Sequence, residues 1–285
     1  MPEGIDVMAG LKNNADKKEF QLRTFSSIFI VLIVLGAIHY GKFAWAVTAS
    51  VIALVSLSEY YRLLAHIKGI KLSPGVGYIF SLIFLIAATS ENAQAIVLAM
   101  ILSLCVFGVF TVEIFKRQIF RGISGAVHNA GGIISGVLYI TVPWTCMIML
   151  RDYIIGREIL MTLFFCTWAC DVGAYIGGKA FGSVKLCEFV SPGKTVQGFV
   201  AGIIGSLLAS AAAIYFFSLP REMIYIGFIC GIAGQVGDLA ESLIKRETGQ
   251  KDSGNLIPGH GGMLDRFDSI LFNGLLTYLI LRIVL

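Results

Sequence analysis

The sequence predicts an all-α, polytopic integral membrane protein of about nine transmembrane helices, with a polar site in its C-terminal half. Three observations predict it. Of 285 residues, 56% are hydrophobic and 14% charged, against roughly 45–50% and about 25% in a soluble domain, so the charges cannot coat a water-soluble globule. Nine apolar runs approach the length of about 20 residues needed to cross the bilayer. Lys and Arg alternate between the connections that join those runs. With only six Pro and six Cys, disorder, collagen and a disulfide scaffold are excluded as well.

In order, the runs are 25–41, 43–61, 74–90, 92–112, 129–150, 155–177, 195–217, 222–244 and 267–285. The first two are separated by a hinge at Gly41-Lys42, and fusing them would leave eight. Charge placement favours nine. The N-terminus and the segments 62–73, 113–128, 178–194 and 245–266 hold 17 of the 22 Lys and Arg, and the alternate connections hold 5. That is the positive-inside pattern, with the N-terminus cytoplasmic and the C-terminus outside. The net charge of +4 is therefore a topology signal and implies no nucleic-acid partner.

The chain divides on this reading into a polar cytoplasmic N-terminus (1–24), an N-terminal transmembrane region (25–128) and a C-terminal transmembrane region that carries the polar site (129–285). The first twenty residues lack an apolar core and do not read as a cleavable signal peptide. Segment 113–128 spaces Glu113, Lys116, Arg117 and Arg121 around apolar residues, which predicts a short amphipathic helix on the cytoplasmic surface. Cys166 and Cys170 share a helix face, but with no third ligand nearby they read as packing. The four His are scattered, and only His260 stands among polar residues of interest.

The C-terminal third breaks the apolar pattern. Asp238 and Glu241 lie within the eighth run, where a carboxylate at the bilayer centre costs about 2.5 kcal/mol or more. With Ser242 and Lys245 they fall within an arc of about 100° on a helix, and Gln235 lies beside it. The plain alternative is an internal Asp–Lys pair pinning helices. The stripe runs on into the loop Lys245–Asp268, however, which carries Arg246, Lys251, Asp252, the run Pro258-Gly259-His260-Gly261-Gly262, and Asp265, Arg266 and Asp268. Asp265 and Asp268, three apart, share a face. Hard oxygen donors suit Mg²⁺, and glycine-freed backbone N–H groups suit an anion. Against a merely solvated loop, the pattern reads as a metal-and-phosphate site.

A second region matches it. Asp171 lies near the end of the sixth run, and Ser191-Pro192-Gly193-Lys194-Thr195 opens the seventh. Gly193-Lys194-Thr195 imitates the tail of a P-loop, but a P-loop needs Gly where Glu188 stands. What remains is a helix N-terminus with Ser191, Lys194 and Thr195 beside it, able to hold an anion.

These residues carry a resemblance. Ser242 to Asp268, 27 residues without a gap, resembles the signature of the phosphatidate cytidylyltransferase (CDP-diacylglycerol synthase) family. Asp171-Val-Gly-Ala-Tyr175 and Ser191–Thr195 are similar to the family's other polar blocks, with a departure at Val196, where Trp is common. In the N-terminal half only Ser58-Glu59-Tyr60-Tyr61 is familiar. The resemblance implies transfer of CMP from CTP to phosphatidate, giving CDP-diacylglycerol and pyrophosphate at the cytoplasmic face of the cell membrane. It implies Mg²⁺ as cofactor and a two-metal mechanism. Asp238, Asp265 and Asp268 are then the leading metal ligands, with Glu241, Asp171 and Asp252 behind them. Lys245 acts in catalysis, while Ser191, Lys194, Thr195, Ser242, Arg246, Lys251, His260 and Arg266 bind substrate. The partners are CTP, phosphatidate and the bilayer, and a homodimer stays open. A CTP-dependent polyprenol or phytol kinase is the main alternative. An ion-coupled transporter is a weaker one, because transporters spread such groups across two related halves and here they gather in one.

Overall fold

The computed structural model describes residues 24–90, 95–120, 125–257 and 261–284. Among them nine helices match the nine apolar runs: α1 Thr24–Tyr40, α2 Lys42–Leu64, α3 Pro74–Ala87, α4 Ala95–Ile119, α5 Ala126–Leu150, α6 Gly156–Phe181, α7 Val196–Phe217, α8 Arg221–Glu247 and α9 Leu264–Val284. Seven are long and apolar enough to cross a membrane, while α1 and α3 are shorter apolar helices. The all-α polytopic class therefore holds. Helices α1 and α2 do not fuse, because Gly41 takes φ 134°, a backbone state that side chains resist, and breaks the helical hydrogen-bond run.

One expectation is corrected. Of the surface helix expected over 113–128, residues 113–119 instead continue α4, which runs unbroken to Ile119, 126–128 open α5, and Arg121 lies outside the described residues. Glu113 could be taken inward because it is fully satisfied there: it accepts from Lys116 Nζ at 2.6 Å and from Asn129 Nδ2 at 3.1 Å. The segment between α6 and α7 forms a hairpin. Strands β1 (Lys185–Cys187) and β2 (Ser191–Thr195) pair antiparallel, with Lys185 opposite Thr195 and Cys187 opposite Ser191. Thr195 ends β2 and begins α7, where its Oγ1 accepts from Gly198 N at 3.1 Å as an N-cap.

Two helices contain a wide π turn. In α5 it spans Val137–Thr141, immediately before Pro143, whose ring would strike the carbonyl four residues back in a regular helix. In α8 it spans Cys230–Gly234, just before the polar stripe. Helices α6 and α7 touch through glycine. A Cβ on Gly173 would stand 2.8 Å from the Ala201 carbonyl oxygen, and one on Gly205 2.7 Å from that of Ala169. Close backbone approach through small residues is how spans associate where lipid gives no hydrophobic drive.

The core joins α2, α5, α6 and α9 around Trp45, Trp144, Phe164 and Phe267, with Trp144 and Phe267 centroids 5.4 Å apart. Trp45 Nε1 donates to Met147 O at 2.9 Å, so the buried indole is satisfied. The connections sort to two ends. Lys116 Nζ donates to Lys71 O, Arg246 Nε to Val190 O and Ser253 Oγ to Glu59, which ties the basic connections together in pairs. Lys42 and Asp152 pair at 3.0 Å, at the other end of α2 from Glu59.

Candidate active site

Three helices each bring a carboxylate to one place: Asp171 from α6, Asp238 from α8 and Asp268 from α9. Asp171 and Asp238 line one cavity, and Asp171 and Asp268 line a second beside it. Lys194 reaches in from β2, its Nζ 2.7 Å from Asp238 Oδ2 and 3.3 Å from the Gln235 backbone oxygen. Gln235 holds that carbonyl in place, since its Nε2 donates to Gly231 O at 2.6 Å and Phe199 O at 3.0 Å, linking α8 to α7. Asp268 Oδ1 accepts from Ser269 N at 2.6 Å, and Ser242 Oγ makes a long 3.4 Å contact to Asp238 Oδ1.

Two cavities meet at Asp171. One, of about 470 Å³, is lined by Tyr175, Lys179, Lys194, Thr195 and Asp238. The other, of about 290 Å³, runs between Ile30, Val31 and Val34 of α1 and the Arg266–Asp268 turn of α9. Lys179 Nζ lies 5.9 Å from the centre of the Tyr175 ring, which holds this cation at the mouth of the first cavity.

A second set of acids lies beside the first and is held mainly by protein donors, although Glu241 Oε1 is buried with no hydrogen-bond partner among the described residues. Lys245 Nζ bridges Glu241 Oε2 at 2.6 Å and Asp265 Oδ1 at 2.8 Å. The other oxygen of Asp265 accepts from Ser253 N (2.9 Å), Ser253 Oγ (2.9 Å) and Gly262 N (2.7 Å). Glu59 of α2, 2% exposed, accepts from Met263 N at 2.9 Å, Leu264 N at 2.8 Å and Ser253 Oγ at 3.2 Å. Gly254 and Gly262 make room for it, because a Cβ on either would come within 2.8 Å of its carboxylate. Glu59 and Asp265 together lock the α8–α9 loop and cap the start of α9, where free N–H groups favour a carboxylate.

The remaining candidates are spread out. Arg246 Nε donates to Val190 O at 3.3 Å and tethers the hairpin to α8. Ser191 is paired within the hairpin. Lys251 is exposed, and Asp252 faces a separate cavity of about 470 Å³ with Glu59, Arg62 and His66. His260 lies outside the described residues. The sequence offered no role for Glu59 beyond a familiar segment, nor for Gln235, Tyr175 or Lys179. A carboxylate within the apolar run 43–61 was the available signal for the first.

Among the described residues no three His, Cys, Asp or Glu side chains converge as a ready-made metal cage. Mg²⁺ does not need one, since it is commonly held by one or two carboxylates with waters and substrate phosphates. The chemistry of the donor set fits: the carboxylates of Asp171, Asp238 and Asp268 border two adjoining cavities, with Lys194 paired to Asp238. Asp265 has both oxygens engaged by protein donors.

Comparison with known proteins identifies the family. Residues 21–284 match the model of the cytidylyltransferase family. This chain belongs to that family. It is a nucleotidyltransferase, and the resemblance carried by Ser242–Asp268 is thereby borne out. Similar relatives include phosphatidate cytidylyltransferases of Staphylococcus aureus, 30% identical over 259 residues, and of Staphylococcus haemolyticus and Staphylococcus epidermidis, each 31% identical over 259 residues. Each alignment covers 88% of this cytidylyltransferase and 95% of the relative.

Proposed function

We propose that this cytidylyltransferase transfers CMP from CTP to phosphatidate, giving CDP-diacylglycerol and pyrophosphate, at the open acids of α6, α8 and α9. The observation that carries the reading is the wall shared by two unlike cavities. The one lined by Lys179, Lys194 and Thr195 suits a nucleoside triphosphate, and the one along Ile30, Val31 and Val34 suits a lipid whose phosphate reaches Arg266. The relatives' activity supports the same substrates.

The chemistry asks little of a base. A phosphate monoester has a second pKa of about 6 and is largely dianionic near neutrality. An oxygen of the phosphatidate phosphate attacks the α-phosphorus of CTP as the bond to the bridging α–β oxygen breaks, and pyrophosphate leaves. The obstacle is bringing two anions together. Lys194 and Arg266 offset that charge, and Lys194 exchanges its contact with Asp238 for a phosphate oxygen. Mg²⁺, two ions on this reading, would be held by Asp238 and Asp268 with Asp171 beside them, and would neutralise and orient the phosphates. Asp265, Lys245, Glu241 and Glu59 position the loop that carries Lys251 and the first turn of α9 that carries Arg266. On the alternation of Lys and Arg, this end and the N-terminus would face the cytoplasm, which supplies CTP, and the C-terminus would lie outside.

The test is incubation of purified protein with phosphatidate, Mg²⁺ and CTP labelled with ³²P at the α-phosphate. Label entering the lipid fraction with release of pyrophosphate is the expected result. Label retained wholly in soluble CDP, as a lipid kinase would leave it, overturns the proposal.

A further inference from the structure

A cavity of about 590 Å³, larger than either at the acids, lies at the far end of the molecule. It is a groove walled by Val47, Ser50 and Leu54 of α2, Leu82 and Ile86 of α3, and Ile148 of α5, with Lys42 and Asp152 at its mouth. Seventeen helical residues separate Lys42 from Glu59, about 25 Å along α2, so the groove is no part of the site described above. Nothing in the nucleotidyl transfer uses it.

Its dimensions and chemistry choose an occupant. From Lys42 to Leu54 the groove runs about 18 Å, close to one leaflet of a hydrocarbon layer about 30 Å thick. A partner helix would bury a face along the whole thickness, whereas an acyl chain needs one leaflet. The walls are apolar and open, with Val47 48% and Ile86 61% exposed. At the mouth, Lys42 Nζ and Asp152 Oδ1 form an ion pair at 3.0 Å, with side chains 61% and 43% exposed. Such an exposed pair contributes little to stability. It offers instead one positive and one hydrogen-bond-accepting negative group side by side, the complement of a head group that carries a phosphate next to a primary ammonium.

We propose that this groove is a binding site for a phospholipid of the phosphatidylethanolamine type, its phosphate on Lys42, its ammonium on Asp152 and one acyl chain along α2 and α3. A trimethylammonium head lacks the N–H donors for Asp152, and a glycerol head lacks the positive charge. The site is independent of the catalytic reading.

The experiment is release of the full chain from nanodiscs containing equal phosphatidylethanolamine, phosphatidylcholine and phosphatidylglycerol, followed by native mass spectrometry of retained lipid and a turnover assay. The wild type is expected to keep one phosphatidylethanolamine, roughly tenfold in preference to the other two, as suits one charged hydrogen bond. Asp152→Asn should erase the preference. Ser50→Trp should fill the groove and abolish retention while turnover stays unchanged. Equal retention of the three lipids by the wild type overturns the proposal, as does undiminished phosphatidylethanolamine on Ser50→Trp. A dimer that Ser50→Trp separates into monomers, with no lipid retained by the wild type, assigns the groove to a second copy of the chain and also overturns it. Asp152→Asn, a surface change, decides the matter if the bulky variant does not insert.

Discussion

Asp238 and Asp265 lie in one polar cluster and differ in what their oxygens do. Asp265 spends both on the protein: Lys245, two donors of Ser253 and the Gly262 N–H. Asp238 meets Lys194 on one oxygen and, among the described residues, the long Ser242 contact on the other, and it borders a cavity. A saturated carboxylate holds structure, and one with an open oxygen beside a cavity can hold something that arrives. Proximity to a site therefore does not assign a role, whereas counting the donors on each oxygen does.

That difference can be broken by substitution. Asp238→Asn keeps the shape and removes the charge, so turnover should fall on the order of 10³-fold, the worth of several kcal/mol of electrostatic stabilisation, with the melting temperature little changed. A Mg²⁺ titration of the variant is the check, and near-normal turnover at saturating Mg²⁺ would remove Asp238 from the site. Asp265→Ala should act the other way round. It leaves the Ser253 and Gly262 N–H groups without their acceptor, at about 1–3 kcal/mol for each buried group, so thermal stability falls first and activity follows it. Turnover per folded molecule separates the two: a loss in Asp265→Ala as deep as in Asp238→Asn, at unchanged melting temperature, would erase the distinction.

Glu59→Gln sharpens the contrast at lower amplitude. The amide keeps one acceptor oxygen but places an NH₂ against the Met263 and Leu264 N–H groups or Ser253. Limited proteolysis should cut the α8–α9 loop faster, with activity reduced about tenfold, near the value of one charged hydrogen bond. Equal cutting of both proteins would show that Glu59 does not hold the loop. The smallest effect belongs to Lys42→Gln at the opposite end, where an exposed pair is worth about 0–1 kcal/mol; turnover should match the wild type. A fall in turnover would tie the two ends together.

The spans were legible because each needs only a run of apolar residues, and α8 and α9 announced themselves by Asp238 and Asp268 standing where apolar residues belong. The hairpin was not. Lys185–Cys187 is three residues long and β2 contains Pro192 and Gly193, so neither shows the alternation that marks a strand. The inward turn of Glu113 was hidden because its partner Asn129 comes from the next helix, and charged spacing alone looks like a surface. Asp265 and Asp268 are alike in sequence, three apart on one helix, and only the backbone of the Ser253 and Gly262 segment tells them apart. Glu59 was noticed without a purpose, since nothing near it in the chain needs a carboxylate.

The long reach of Glu59 bears on biogenesis. Its backbone partners Met263 and Leu264 lie 204 and 205 positions later in the chain. At about 5–20 residues per second, a ribosome makes Glu59 some 10–40 seconds before the groups that satisfy it. For that interval the nascent protein carries an unmated acid at the end of its second helix. The loop cannot take its final shape, and the reaction centre cannot be completed, until the last helix has emerged. A chain cut short before α9 therefore leaves Glu59 without its Met263 and Leu264 partners.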